Sequence, residues 1–221
     1  MDGPMAAPLP LLPLNTVLFP GSLMPLRFFE PRYLEMLADC LRDSRPFGVA
    51  LIRSGKEVGG PAVPFPIGTV ARITGVQRRP DGTSNLTVLG SERFTILEVL
   101  EDKPYLTAVV EPLVDGDANE PSLSALALEA SRDFKRYFAL LLSVANRWAP
   151  DLPLPTAPVD LSFFLADQIN VPQTQRYALL SAPSVADRLR AIRASLERDS
   201  PMLEALATDK AADDKAPSHP A

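Results

Sequence analysis

The sequence predicts an α+β protein, with a small β-rich domain in the first half of its 221 residues and an α-helical bundle in the second. Three observations carry this. From Leu9 to Leu113 the apolar stretches are short, rich in Val, Ile, Thr and Phe, and punctuated by Pro and Gly, as in strands joined by turns. The acidic segment Asp115-Gly116-Asp117-Ala118-Asn119-Glu120-Pro121 ends that pattern. Beyond it glycine is absent and apolar residues recur with the 3.6-residue helical period. The expected layout is a flexible N-terminus (1–8), a β domain (9–117), a helical bundle (118–206) and a disordered tail (207–221).

In chain order, strands are expected at Leu14–Phe19, Met24–Phe28, Gly48–Arg53, Gly68–Arg78, Ser84–Leu100 with a bend near Gly90, and Tyr105–Leu113. The clearest turn is Arg79-Pro80-Asp81-Gly82-Thr83, where Pro presets φ and Gly accepts positive φ between two alternating runs. One helix interrupts the strands: Pro31 suits a first helical position, and Leu34, Leu37 and Leu41 recur at helical spacing beside Tyr33, Met36 and Cys40.

In the second half, Ser122–Trp148 predicts one long amphipathic helix with a stripe through Leu123, Leu126, Ala130, Phe134, Tyr137, Phe138, Leu141, Leu142, Ala145 and Trp148. Pro150, Pro153, Pro155 and Pro158 forbid helix across a linker. Helices follow at Asp160–Ile169, Pro172–Leu180 and Ser184–Arg198, the last opened by a capping box of Ser184 and Asp187. After Leu206 the chain is polar and has no periodic apolar face.

Composition narrows the function. A net charge of −5 without a basic cluster disfavours general nucleic-acid binding. One cysteine, Cys40, precludes an intrachain disulfide and points to the cytoplasm. Met1 to Leu12 lacks the basic and continuous apolar regions of a signal peptide, and no apolar run approaches the roughly 20 residues of a membrane span. The only histidine, His219, lies in the polar tail, which removes Ser-His and Cys-His chemistry and the histidine-bearing zinc motifs. No Gly-rich phosphate-binding spacing occurs. Glu98, Glu101 and Asp102 could in principle form a carboxylate pair, although solvated strand ends explain them more simply. Cys40, near the apolar side of a short helix with no cationic neighbour in sequence, is expected to be a buried structural thiol. Catalytic residues, cofactors and metals are therefore all expected to be none.

The opening Pro10-Leu11-Leu12-Pro13-Leu14-Asn15-Thr16-Val17-Leu18-Phe19-Pro20-Gly21-Ser22-Leu23-Met24-Pro25-Leu26 resembles the start of the N-terminal, substrate-recognition domain of Lon-family ATP-dependent proteases. The resemblance continues in order through Phe29-Glu30-Pro31-Arg32-Tyr33, Ile67–Ile73, the Pro80-Asp81-Gly82 turn, Leu89–Phe94, Tyr105–Glu111, Leu165–Ile169 and Asp187-Arg188-Leu189. It covers about residues 9–200. It implies a PUA-like β pseudobarrel with one short helix, a helical bundle behind it, and a role in holding protein substrates. The ATPase module and Ser-Lys protease domain of the full proteases are not among these residues, so proteolysis does not carry over, and a stand-alone, non-catalytic module is expected.

Several readings follow. The chain captures unfolded or degron-bearing polypeptide; or it is an adaptor docking on a separate protease or enzyme; or, through its PUA-like architecture, it binds RNA, against its charge; or it hides a carboxylate-based hydrolase. Candidate peptide contacts are Phe19, Met24, Leu26, Phe28 and Phe29, which surround the Pro20-Gly21 bend, together with Arg93. For these apolar residues the competing expectation is barrel core, and for Arg93 it is pairing with Glu92 or Glu98, or solvation. No membrane partner is expected, and the oligomeric state is open.

Overall fold

Leu9–Leu14 forms the first strand, β1, and its sequence LPLLPL does not alternate because both faces are buried. Leu12 and Leu14 join one apolar cluster and Leu11 another. The computed structural model describes residues 8–145, 147 and 152–213. These divide into two units, one within Met1–Asp115 plus Asn170–Ser181, the other within Gly116–Ile169 plus Ala182–Ala221.

In the first unit β1 is followed by β2 (Leu23–Phe28), α1 (Pro31–Arg42), β3 (Phe47–Gly55), β4 (Ala62–Arg78), β5 (Ser84–Leu100), β6 (Thr107–Pro112) and the later helix α4 (Gln173–Leu180). The sheet runs β2-β5-β4-β3-β1-β6, and β6 also pairs with β5. The ladder β5-β4-β3-β1-β6 thus closes on itself, the arrangement that removes free edges. β2 stands outside that ring, antiparallel to β5 from Leu23↔Leu89 to Phe28↔Ser84. Among the described strands only β1 and β3 pair in parallel, with β2 and α1 in the crossover between them. Along β5 the register with β4 shifts between Gly90 and Arg93, where the bend was expected, so the long strand curves without breaking.

Three expectations are corrected here. The expected strand Leu14–Phe19 is instead the end of β1 followed by irregular backbone over 15–22. The run Thr16-Val17-Leu18-Phe19 looks like a strand because its apolar side chains are buried, but its polar groups go elsewhere. Val17 N–H donates to Gln173 Oε1 (3.2 Å), and Leu18 O accepts from the Thr69 hydroxyl (2.7 Å). Second, 170–181 belongs with the sheet, whereas the sequence assigned it to a bundle over 118–206. Tyr177 stacks on Phe65 at 4.2 Å and the Arg176 guanidinium lies 4.9 Å from the Phe19 ring centre. Third, the last helix continues to Asp213, through the first part of the expected disordered tail, where Ala207, Ala211 and Ala212 have high helix propensity. The expected flexible N-terminus, except Pro8, and the rest of the tail, with Trp148 and His219, lie outside the described residues.

The second unit holds α2 (Leu123–Val144), α3 (Pro158–Gln168) and α5 (Val185–Asp213). Helix α2 buries Leu123, Ala127, Ala130, Phe134 and Tyr137, so the expected stripe is shortened at its C-terminal end and runs through Ala127 where Leu126 was expected, Leu126 being half-buried. Arg193 of α5 bridges Asp133 (2.6 Å) and Glu129 (2.5 Å) of α2. One half of the expected capping box forms: the Ser184 hydroxyl accepts from Asp187 N–H at 3.0 Å, and it donates to Asp187 Oδ2 at 2.7 Å. Asp117 adds a second cap, accepting from Val185 N–H (2.8 Å) and Ala186 N–H (3.0 Å). Two freed amides at the positive end of α5 hold this carboxylate below its usual pKa against the opposing effect of burial, which is the larger single influence.

The irregular 15–22 segment is seated on Gly90, whose N–H donates to Ser22 O while its own carbonyl accepts from Gly21 N–H, both at 2.9 Å. A Cβ on Gly90 would stand 2.2 Å from Phe19 O, a backbone atom that cannot step aside. Gly90→Ala is therefore expected to cost about 2–3 kcal/mol, read as a lower urea midpoint at unchanged slope.

Candidate functional site

Strand β2 alternates half-buried Met24 and Leu26 with exposed Leu23, Pro25 and Arg27, then ends on buried Phe28. A proline in mid-strand is tolerated at an edge, where a missing N–H breaks no essential ladder bond. Phe28-Phe29-Glu30 next turns the chain into α1, with Pro31 at its first position and Glu30 as N-cap. The turn leaves Phe29 50% exposed.

Opposite Phe29 stands the 56–61 loop. Gly55 (φ +100°) and Gly59 (φ +70°) adopt conformations that residues with a Cβ rarely take, so the loop folds back tightly, with Lys56 N–H donating to Pro61 O (3.1 Å). It is fastened to the start of α1 by Arg32, which lies 2.9 Å from Glu30 Oε2 and donates to Gly60 O (3.3 Å) and Glu57 O (3.4 Å). Glu30 Oε2 also accepts from Gly59 N–H (3.2 Å), and Glu57 accepts from Asn15 N–H (2.9 Å). The Arg32 guanidinium lies 4.5 Å from the Tyr33 ring centre, a cation–π contact that flattens it against the helix. The loop tip, Val58, is 54% exposed.

Between these walls lies a cavity of about 320 Å³ floored by Leu12, Leu14, Phe28 and Tyr33 and rimmed by Met24, Leu26, Phe29 and Val58. Four of the candidate contacts, Met24, Leu26, Phe28 and Phe29, therefore meet in one place. Phe19 and Arg93 do not line it: Phe19 is fully buried and Arg93 is 3% exposed. Val58 and Tyr33 were missed by the sequence reading, although an isolated Val between Glu57 and Gly59-Gly60 is a signal for an apolar loop tip.

Arg93 pairs with neither Glu92 nor Glu98. It donates to Leu180 O (2.6 Å) and to Asp115 Oδ1 (2.9 Å), and the two charged side chains are 2% and 5% exposed. Burial draws its pKa below the ordinary guanidinium value, and the Asp115 carboxylate opposes that shift. Glu92 instead meets Arg72 across β4 and β5 (3.2 Å).

The groups considered for catalysis are dispersed in role. Asp102 accepts from the Thr107 hydroxyl (2.8 Å), while Glu98 and Glu101 are exposed. No group of three or more His, Cys, Asp or Glu suited to a metal ion occurs among the described residues. Cys40 is 1% exposed, and burial pushes its thiol up to about 11. No helix among the described residues is long and apolar enough to cross a membrane.

The chain's similarities are consistent with one another. The family model of the ATP-dependent protease La (LON) substrate-binding domain matches residues 8–198. The Lon protease of Anaeromyxobacter dehalogenans (strain 2CP-C) is 27% identical over 201 residues, covering 90% of this chain and 24% of its own length. Lon protease 2 of Myxococcus xanthus is 28% identical over 199 residues, with 89% and 24% covered. The chain thus spans about a quarter of the length of these curated relatives. Among solved structures, the Lon N-terminal domain protein from Xanthomonas campestris matches with a TM-score of 0.62 at 30% identity, over 86% of this chain and 98% of that one. The N-terminal domain of the Mycobacterium avium complex Lon protease shares the fold with a TM-score of 0.64 at 19% identity, with the same coverage of 86% and 98%.

Two outcomes follow from the burial described above. Asp115→Ala strands the Arg93 charge in the interior and is expected to cost about 3–5 kcal/mol, read by urea denaturation. Cys40 is expected to stay silent toward an aromatic disulfide reagent at pH 8 in the folded protein and to react after denaturation, because the thiolate is both scarce and covered.

Proposed function

The chain belongs to the family of ATP-dependent protease La (LON) substrate-binding domains, and from that premise we propose that it is a non-catalytic module that holds unfolded or degron-bearing polypeptide. The observation that carries the reading is the open apolar cavity between β2 and the 56–61 loop, with Phe29 and Val58 half in solvent at its mouth. Exposed apolar side chains gathered around a concave floor mark a binding surface more often than a defect of packing.

Magnitudes decide how such a surface works. One apolar side chain dropped into the cavity contributes about 1.5–3 kcal/mol. Micromolar affinity requires about 8 kcal/mol before the cost of association is met. A single anchor therefore falls short, and several contacts along an extended chain are needed. The outer edge of β2 offers them, since β2 pairs only with β5 and exposes Leu23 next to the cavity. In this reading Met24, Leu26, Phe28 and Phe29 meet the client, while Phe19 and Arg93 support the frame behind them.

The test is fluorescence anisotropy with a labelled, permanently unfolded protein, using its native counterpart and a single-stranded RNA as controls. Binding of the unfolded chain alone supports client capture. Silence toward all three, with one protease or other enzyme retained in a pull-down, favours an adaptor; retention of RNA alone overturns both. Phe29→Ala combined with Val58→Ser is expected to weaken binding of the unfolded chain by about tenfold, in the range of interface hot spots. It should leave the melting temperature nearly unchanged, because both side chains are half-exposed. Undiminished affinity in that variant places the site elsewhere.

A further inference from the structure

Helix α1 carries apolar residues on more than its core face. Tyr33, Met36, Leu37 and Cys40 are buried, yet Leu34, Ala38 and Leu41 form a second row at the i, i+4, i+7 spacing of one helix stripe. Ala38 is exposed and Leu41 is 40% exposed. Facing that row is the turn that joins β4 to β5. Between them lies a cavity of about 290 Å³, whose lining includes Leu34, Ala38 and Leu41 on one side and Arg78, Arg79 and Thr83 on the other.

The charge of this cleft is unlike that of the chain. The protein carries −5 overall, but no carboxylate lines the cleft, and Arg78 and Arg79 are exposed with no ion pair among the described residues. The nearest turn acid, Asp81, is already engaged: it accepts from Thr83 N–H (3.0 Å) and the Thr83 hydroxyl (2.7 Å) and meets Arg27 at 3.3 Å. On α1, Asp39 accepts from the Tyr105 hydroxyl (2.6 Å) and meets Arg42 (2.8 Å), and Asp43 also meets Arg42 (2.9 Å). Asp81 also acts through space on Arg79, and Glu35 of α1 is exposed without lining the cleft. Two guanidinium groups therefore stand beside an apolar row with no carboxylate in ion-pair contact among the described residues.

We propose that this cleft is a docking surface for a segment of a partner protein that carries carboxylates next to a large apolar side chain. The apolar residue would lie on Leu34, Ala38 and Leu41, and the carboxylates would take the forked donors of Arg78 and Arg79. The surface shares no residue with the cavity at Phe29 and Val58, so the inference does not rest on the proposed client site.

The test uses the full chain and a fluorescein-labelled 12-residue peptide with two Glu on each side of a Leu-Phe pair, with a counterpart in which every Glu is Lys. The acidic peptide is expected to bind, and to bind more weakly as salt rises. Arg78→Glu with Arg79→Glu should weaken it by about tenfold, since reversing two exposed charges turns two attractions into repulsions. Leu41→Glu should weaken it as well, while Phe29→Ala with Val58→Ser leaves it unchanged. All these side chains are exposed, and circular dichroism checks that each variant is folded. Equal binding of the two peptides, no binding of either, or full affinity in the double arginine variant overturns the proposal. So does loss of the acidic peptide in the Phe29 and Val58 variant, which would assign it to the other cavity.

Discussion

The first unit depends on one buried ion pair. Arg93 sits on β5 where the register with β4 shifts, and its guanidinium reaches two segments that are distant in sequence, Asp115 just past β6 and Leu180 at the end of α4. Its own carbonyl accepts from Leu113 N–H at 3.0 Å, so backbone and side chain hold the same stretch of chain. Both charges are out of water, and an isolated buried charge costs several kcal/mol, so Asp115 cannot leave without stranding the Arg93 charge. Such a pair adds little net stability compared with apolar residues of similar volume. Its effect is on specificity: one guanidinium takes partners from two segments far apart in sequence. The chain leaves this unit after Asp115, re-enters it at Asn170 and leaves again after Ser181, and Arg93 holds residues beside the two exits, Asp115 and Leu180.

That role was not legible in the sequence, and the reason is physical. Local reading offers Glu92 and Glu98 as partners because they are near in the chain, but adjacent residues on a strand point to opposite faces. Glu92 therefore looks outward to Arg72, while Arg93 points into the interior. The same limit explains β1. Its burial on two faces erases the alternation that marks a strand, while the following irregular segment imitates a strand through buried side chains whose backbone partners, Gln173 and Gly90, lie far along the chain. Helix α4 was read as a helix from its own pattern, but its placement rests on Phe19, Phe65 and Arg93, which no local window contains.

What was legible rests on short-range rules. The Pro80-Asp81-Gly82 turn forms with Gly82 at φ +81°, Pro31 opens α1, and Ser184 with Asp187 opens α5. The site was legible in part for the same reason: alternation along β2 gathers Met24, Leu26 and Phe28, and the turn after them presents Phe29. Its other wall was not, since Val58 arrives through a loop whose position depends on Arg32 reaching Glu57 and Gly60.

The construction of that wall bears on how the surface holds its shape. A glycine-bounded loop with an exposed valine would ordinarily lose order, and ordering it on binding would consume part of the small energy available from each apolar contact. Here the ordering is done in advance. Arg32 is held by Glu30 and by the Tyr33 ring, Glu30 also takes Gly59 N–H, and Glu57 takes Asn15 N–H, so one loop is tied to β1's end and to α1's start. These are partly exposed bonds, each modest in energy, but they act on a loop of few residues whose backbone is already restricted at Gly55 and Gly59. A polar clasp thus keeps an apolar mouth open to water.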